Sequence, residues 1–434
     1  MGKYQRPRGT HDLYPHAENW EDDSVRWNCV EALFRELCSL HNFAEVRTPI
    51  FEATDLFKRT IGEGTDIVTK EMYTFDDLGG RSMTLRPEGT APTLRAYVDS
   101  PLSSAGGVTK MFYIASIFRY ERQQKGRYRQ HQQLGVEALG SDDPYLDAEI
   151  INLAMTFFRK VGIRSLELKI NSVGGQESRS RFVEQLKSFV EPHLQEFSDE
   201  GRARFAKNPL RMLDTKSQVE LDILKAAPHL IDFLSVDEAT HFECLQRALN
   251  AIGLTYTIDH TLVRGFDYYT KTAFEIQSPD LGAQSALGGG GRYNQLVADL
   301  GGQQTPGIGF GIGMERVMIA LQAIGADILP STALSAYVVL QNEAGRDMAF
   351  RLLHNLREAG ISADMDFSSR SLKNQMRAAS KSGARYTLVI GEEEMASSTV
   401  QIKDMNTGNQ DTSDISKAVS YIMRSIVPVE SHGN

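Results

Sequence analysis

Two runs constrain this chain more than any other feature: MFYIASIFRY from Met111, an apolar strand, and HQQLGVEALG from His131, which looks like its return partner. Each has strand length, and the residues between them are too polar and glycine-broken to be core. A long antiparallel hairpin is therefore expected, and with it an antiparallel sheet. Its connecting loop, FRYERQQKGRYRQ at 118–130, holds five basic residues between Arg119 and Arg129 and one acid, Glu121. The whole chain carries a formal charge of −9. Positive charge concentrated against that balance points to a phosphate-bearing ligand at this loop, with a solvated charged hairpin as the alternative.

At 434 residues the chain has room for two or three domains. Its 24% charged and 41% hydrophobic residues are ordinary for a globular protein. No apolar run approaches bilayer length, and MGKYQRPRGTHDLYP lacks a signal-peptide core, so a cytoplasmic location and no membrane partner are expected. Cys29, Cys38 and Cys244 form no CxxC pair and no HExxH occurs, so no protein-bound metal and no disulfide framework are expected. Net negative charge argues against diffuse nucleic-acid binding but leaves local patches open.

Residues 20–41 read as an amphipathic helix, with Val30, Leu33, Phe34, Leu37 and Leu40 at helical spacing. AEVRTPIF follows as a strand that Pro49 must end or place at an edge. A first domain segment over 1–171 gives way to a mostly helical stretch, 172–255, read as an inserted module that includes the Phe242, Leu245, Leu249, Ile252 series. Strand patterning returns at TYTIDHTLVRGFDYYTKTAFEIQ. Residues 256–325 then continue the first domain through ALGGGGRYNQLV and TPGIGFGIGMERVMIAL, a strand running into a helix. Around 327–330 the pattern resets, and 331–434 alternates strand and helix as a small α/β domain with its own sheet.

Three stretches suit chemistry. Arg119, at a strand end, can grip a phosphate bidentately, and Glu121 can accept from an exocyclic amine. Arg122, Lys125, Arg127 and Arg129 offer charge to phosphates. In GIGFGIGMER the alternating glycines keep a strand thin enough for a flat ligand to lie against it, and Arg316 emerges at a helix start, able to reach a terminal phosphate. No GxxxxGK[ST] and no GxGxxG at a strand-to-helix turn exist, so Walker-type and dinucleotide sites are unsupported. In TLRPEGTAPTLRAYV, Pro87 pushes Arg86 towards an extended conformation, and Glu88 is presented on a short loop where it could pair with a ligand ammonium. Each stretch alone also reads as ordinary packing or a surface turn.

In order and spacing, RGTHDLYP, EVRTPIFE, FRYERQQKGRYRQ and GIGFGIGMER resemble class II aminoacyl-tRNA synthetases. LVRGFDYYTKTAFE and GGGGRYNQL resemble signatures of the histidyl-tRNA synthetase family, and the likeness continues through RSLKNQMRAASKSGARYTLVIGEEE. The resemblance implies an α+β fold: an antiparallel sheet with flanking helices, the helical insertion, and a C-terminal α/β anticodon-binding domain. It implies a homodimer whose interface is built by the first motif. It implies activation of L-histidine with ATP and Mg2+, then transfer to tRNA(His).

By the same resemblance, Arg119 meets the ATP α-phosphate and the amino acid carboxylate, Glu121 reads adenine, and Arg127 and Arg316 hold the triphosphate. Glu88, Gly89 and Thr90 take the α-amino group with Gln133. The imidazole lies between Glu137 and Tyr269 with Tyr268 beside it, since neutral imidazole offers one donor and one acceptor. Arg264 supplements the metal at the α-phosphate. Departures from the family pattern are Gln123 for a proline, His131 for a phenylalanine that stacks on adenine, and Asn294-Gln295 for Asp-Gly. The alternative, a catalytically inactive synthetase-like regulatory subunit of histidine biosynthesis, usually lacks the anticodon domain and parts of the signature that stand here.

Near the C-terminus, Arg370, Lys373, Arg377 and Lys381 fall within roughly 80° on a helical wheel, with Leu372, Met376 and Ala379 opposite. The expectation is a helix over 370–382 that buries one face and shows four cations, either as a solvated face or towards RNA.

Overall fold

A computed structural model describes residues 4–62, 65–104, 106–122, 126–215, 217–262, 268–326, 328, 334–368 and 370–426. The chain divides into two compact units, 1–328 and 329–434.

The strands of the first unit are β1 (Ala44–Glu45), β2 (Phe51–Ala53), β3 (Tyr73–Asp76), β4 (Ser82–Leu85), β5 (Thr109–Phe118), β6 (Gln130–Leu139), β7 (Glu167–Ser172), β8 (Thr257–Ile258), β9 (Thr270–Gln277), β10 (Ala286–Arg292) and β11 (Gly307–Gly313). Eight of them make one sheet in the order β1-β5-β6-β11-β10-β9-β7-β8, while β2, β4 and β3 form a small second sheet. The large sheet is antiparallel except at its edges, where β1 joins β5 and β8 joins β7 in parallel. The hairpin expected from these two runs is there, β5 on β6 from Thr109↔Leu139 to Phe118↔Gln130. The AEVRTPIF run is not one strand: β1 stops at Glu45 on the sheet edge, before Pro49 is reached, and Phe51 beyond it starts β2 in the small second sheet.

Strand alternation decides what faces what. On β6, Leu134, Val136 and Ala138 enter the main core, so Gln133, Gly135 and Glu137 project from the other face. The core face is covered by the helices Ser24–Leu40, Pro144–Lys160 and Val236–Ala251 through Phe34, Phe157, Phe158 and Leu245. Phe242, Leu245 and Leu249 are buried in this core, whereas Ile252, at the end of the same apolar series, is 53% exposed. The helices Gln176–Val190, Asp199–Lys207 and Gln218–Leu224 instead surround a separate small core of Phe182, Leu186, Phe197, Met212 and Leu230. Glu238 ties the two together, capping the Val236–Ala251 helix with Ser235 and accepting from the Ser178 hydroxyl at 2.5 Å.

The second unit holds β12 (Ala336–Leu340), β13 (Ala363–Met365), β14 (Tyr386–Ile390), β15 (Thr399–Asp404) and β16 (Gln410–Asp414), in the order β13-β12-β14-β15-β16. The alternating strands and helices make its parallel half, β13-β12-β14, and an antiparallel pair is added at β15 and β16. The basic helix runs Leu372–Lys381 and differs from the expectation. Its buried face is Gln375 and Ala379, and Leu372 is 37% exposed. The Gln375 amide is satisfied by the Leu340 N–H and C=O and the Arg370 C=O at 2.7–3.1 Å, so a polar side chain fills an apolar slot. Arg370 precedes the helix and pairs with Asp366 at 3.0 Å. The exposed cations of the helix itself are therefore Lys373, Arg377 and Lys381.

Among the described residues no helix is long and apolar enough to cross a membrane.

Candidate active site

The face of the sheet away from the main core carries a cleft of about 490 Å³. β6 lines it with alternate side chains, His131, Gln133 and Glu137, as the period of two requires. Two glycines admit Tyr113 from β5, because a Cβ at Gly89 or at Gly135 would run into its ring. The Tyr113 hydroxyl donates to Gln133 Oε1 at 3.2 Å. The glycines of β11 act differently from the expectation of a bare surface for a flat ligand. A Cβ at Gly309 would strike the Glu137 carboxylate, and one at Gly311 would come 2.5 Å from Gln133 Nε2. Both make room for side chains of the neighbouring strand; only Gly313 has open space, with the Arg316 side chain 3.9 Å away.

One end of the cleft is built of carboxylates and phenols. Glu137 is 1% exposed and accepts from Thr90 Oγ1 at 2.7 Å and from the Tyr293 hydroxyl. Burial raises its carboxyl to about 8, against the lowering effect of those two donors. Glu88 accepts from the backbone N–H groups of Thr90 and Ala91 at 2.6 and 2.8 Å, capping the helix Thr90–Val98. Burial raises the Glu88 carboxyl too. Tyr269, 8% exposed, lies over Gly291, with its ring 4.7 Å from Tyr268. Tyr268 in turn meets Tyr293 edge-on at 5.9 Å. Tyr293 is thus a phenol bonded to Glu137. Sequence reasoning named neither Tyr293 nor Tyr113 as site residues; the signal for Tyr113 was its place on the cleft-facing side of β5, and for Tyr293 its place in GGRY.

The other end, cationic through three arginines, also holds the carboxylates of Glu71, Glu121 and Glu275. Arg119 donates from Nε to the Pro87 carbonyl at 2.7 Å, and its guanidinium is 3.7 Å from Glu121. Arg127 is 3.5 Å from the same carboxylate. Arg316 donates to the Ala286 carbonyl at 2.6 Å. Burial, then the neighbouring Arg127, lowers its affinity for its proton. His131 is pushed down to about 3, first by burial and then by Arg119 and Arg316, and is neutral at physiological pH. Arg119 and Arg127 from one hairpin loop and Arg316 from a distant helix start thus line one cavity with Glu88, Thr90, Glu121, Gln133, Glu137, Tyr268 and Tyr269. Arg129 does not join them: it stacks on Tyr120 at 3.7 Å. Gln123, Lys125 and Arg264 lie outside the described residues.

Of the departures, Asn294 joins an ionic cluster that runs from exposed Asp142 to buried Arg292 and Asp147. Its side chain donates to Asp142 at 2.9 Å and accepts from Arg292 at 3.4 Å. Arg292, fully buried, pairs with Asp147 and donates to the Ser141 carbonyl at 2.8 Å. The cluster fixes the residue that precedes Tyr293. Among the described residues, no group of three or more His, Cys, Asp or Glu side chains is placed to hold a metal ion.

An antiparallel sheet that receives an arginine-bearing hairpin beside a glycine strand entering an arginine-bearing helix is the catalytic fold of class II aminoacyl-tRNA synthetases. The chain belongs to the histidyl-tRNA synthetase family. The sequence model described as "Histidyl-tRNA synthetase" matches residues 17–317, and one for an anticodon binding domain matches 335–424. The chain is 48% identical to a histidine–tRNA ligase of Moorella thermoacetica, over 96% of this chain and 97% of that protein. With one of Halothermothrix orenii it shares 46% identity over 93% and 95%. The crystal structure of Staphylococcus aureus histidyl-tRNA synthetase superposes with a TM-score of 0.81 at 37% identity, covering 97% of this chain and all of that one.

Proposed function

We infer that this chain is a histidine–tRNA ligase: it activates L-histidine with ATP to histidyl-adenylate and diphosphate, then transfers the histidyl group to the 3′ end of tRNA(His). The observation that carries this reading is the two-ended cleft, acids and phenols at one end and three arginines at the other, in a chain of this family.

Histidine enters the acidic end. The Glu88 oxygens, each already accepting one backbone N–H, retain lone pairs for the α-ammonium, with Thr90 and Gln133 alongside. The imidazole takes its donor and acceptor from Glu137 and Tyr269, with Tyr268 beside them. An analogue without that pair leaves buried polar groups unmatched, which costs roughly 10⁴ in discrimination in comparable sites. The adenine lies against neutral His131, which stacks without adding charge beside Arg119, and Glu121 accepts from its exocyclic amine. Arg127 and Arg316 hold the triphosphate. Mg2+ accompanies ATP and shares the neutralisation of its phosphates.

A histidine carboxylate oxygen attacks the α-phosphorus and the bond to the bridging oxygen of the diphosphate breaks. Arg119 and Arg264 stabilise charge on the α-phosphate during that step; the role of Arg264 rests on the family resemblance. A ribose hydroxyl at the tRNA terminus then attacks the histidyl carbonyl, its proton passes to a phosphate oxygen of the substrate, and AMP leaves. The same reading takes 1–171 with 256–325 as catalytic domain, 172–255 as insertion and 331–434 as anticodon-binding domain, in a cytoplasmic homodimer. The test is charging of total tRNA: histidine alone should be attached, and Arg264→Ala should lose diphosphate exchange by at least about 10² while keeping its thermal midpoint. Exchange near the parent rate in that variant contradicts the role given to Arg264.

A further inference from the structure

Behind the cationic end lies a residue that does not line the cleft. His11 belongs to an N-terminal strap, and its side chain is only 8% exposed. Its Nδ1 is 3.2 Å from Asp22 and its Nε2 3.4 Å from Glu315. The ring stacks on Tyr128 at 4.8 Å and 7°, and meets Trp27 edge-on at 5.7 Å. Two of these contacts, with Glu315 and Tyr128, lead directly into the cleft wall. The Glu315 oxygen that faces His11 also accepts the Gln132 N–H at 2.9 Å, holding the start of β6. Arg316 is the next residue. Tyr128 lines the cleft beside Arg127, and its hydroxyl donates to Glu21 at 2.7 Å.

The strap itself is fastened to both elements. The Gly9 carbonyl accepts from the Arg129 N–H at 2.7 Å, and a Cβ at Gly9, whose φ is +83°, would come 2.8 Å from Arg129 Cγ. Further on, Trp20 N–H and the Glu18 carbonyl bond both ends of the Gln322 amide at 3.3 Å, on the helix Met314–Ile324. The groups facing the His11 ring are therefore two carboxylates from two elements, a phenol from a third and an indole from a fourth. A cation fits this place: it bridges Asp22 and Glu315 while its flat face lies on Tyr128.

We propose that His11 is a positioning residue for ATP, whose charged ring clamps the Arg127–Arg129 loop and the Glu315–Arg316 turn in the geometry that holds the triphosphate. Burial by itself would lower the His11 pKa; Glu315 and Asp22 more than offset it, and the net shift is upward. The clamp is thus complete below the ordinary value of 6.5 and weakens as pH rises through the raised one.

The inference rests on the proposed ATP-dependent activation of histidine, and the diphosphate-exchange assay separates the two. No exchange with histidine in the unaltered protein would sink the functional reading itself. With exchange present, His11→Gln should raise the KM for ATP about three- to tenfold at pH 6.5 and leave the KM for histidine unchanged. In the unaltered protein the KM for ATP should climb from pH 6.5 to 8.5, and in His11→Gln it should be flat. His11→Arg, which keeps a planar cation on Tyr128 between the same carboxylates, should hold the low KM across that range. A merely structural role predicts a lowered thermal midpoint with both KM values shifted alike. That result, or an unchanged KM for ATP in His11→Gln, overturns the proposal. If His11→Gln does not fold, a pH-dependent KM in His11→Arg overturns it equally.

Discussion

The two ends of the cleft are made by opposite strategies. At the acidic end Glu88, Glu137, Tyr113 and Tyr293 are almost fully buried, and each is hydrogen-bonded to backbone or to a neighbouring side chain. At the cationic end Arg127 is nearly half exposed on a loop, and Arg119 and Arg127 share the carboxylate of Glu121, with Glu71 near both. The first is a shape fixed before any ligand arrives, suited to reading a small side chain by donors and acceptors. The second is a field, suited to a polyanion whose charge moves during reaction. The lesson is that selectivity is bought with rigidity at one end, and rate with electrostatics at the other.

The sharpest way to break this contrast is Glu137→Gln. It preserves shape but removes one acceptor, and kcat/KM for histidine should fall about 10³ or more with the KM for ATP nearly constant. Parallel loss of both would mean that the ends are not separable. Arg316→Ala should do the reverse, cutting kcat/KM for ATP about 10²–10³ while histidine protection in a thermal-shift assay persists. A smaller effect probes the strand between the ends. Gly309→Ala collides with Glu137 and should cost about 1–3 kcal/mol of stability, whereas Gly313→Ala enters open space and should be tolerated. Equal tolerance of both would disprove the account of the glycines.

Outside the cleft, Lys373→Glu with Arg377→Glu should weaken tRNA charging about tenfold and spare diphosphate exchange. Damage to both assays alike would argue against an RNA role for that helix. The smallest effect concerns stability. A Glu137 carboxyl raised to about 8 supports the fold below its ordinary value near 4.5, and that support drains away as pH climbs through 8. Glu137→Gln should therefore melt a few degrees higher than the parent at pH 9 and no higher at pH 5. A gain that does not vary with pH would place the effect elsewhere.

Much of this was legible in the chain. The long hairpin declared itself because the first strand is largely apolar, its partner alternates Leu134, Val136 and Ala138 with polar or small residues, and the loop between them is unmistakably polar. Arg119, Glu121, Arg127 and Arg316 stand in motifs whose spacing survives folding. Side-chain pairings across strands were not legible. That Glu137 bonds Tyr293, or that Gly309 makes room for Glu137, depends on the β6–β11 register, which places Gly309 opposite Glu137, and no local pattern encodes that. Gln375 was passed over for a related reason: the helical wheel sets it beside Ala379 and opposite the cations, but the three backbone groups that satisfy its amide are not visible in the local sequence. His11 was read only as part of a motif, because the carboxylates that give it meaning lie 11 and 304 positions away.

The central claim, that one cleft joins an imidazole-reading end to a triphosphate-holding end, is tested most directly by ATP–diphosphate exchange measured with each standard amino acid in turn. The account predicts exchange with histidine at least about 10³ above any other. Comparable exchange with a different amino acid, or none with histidine, would contradict it.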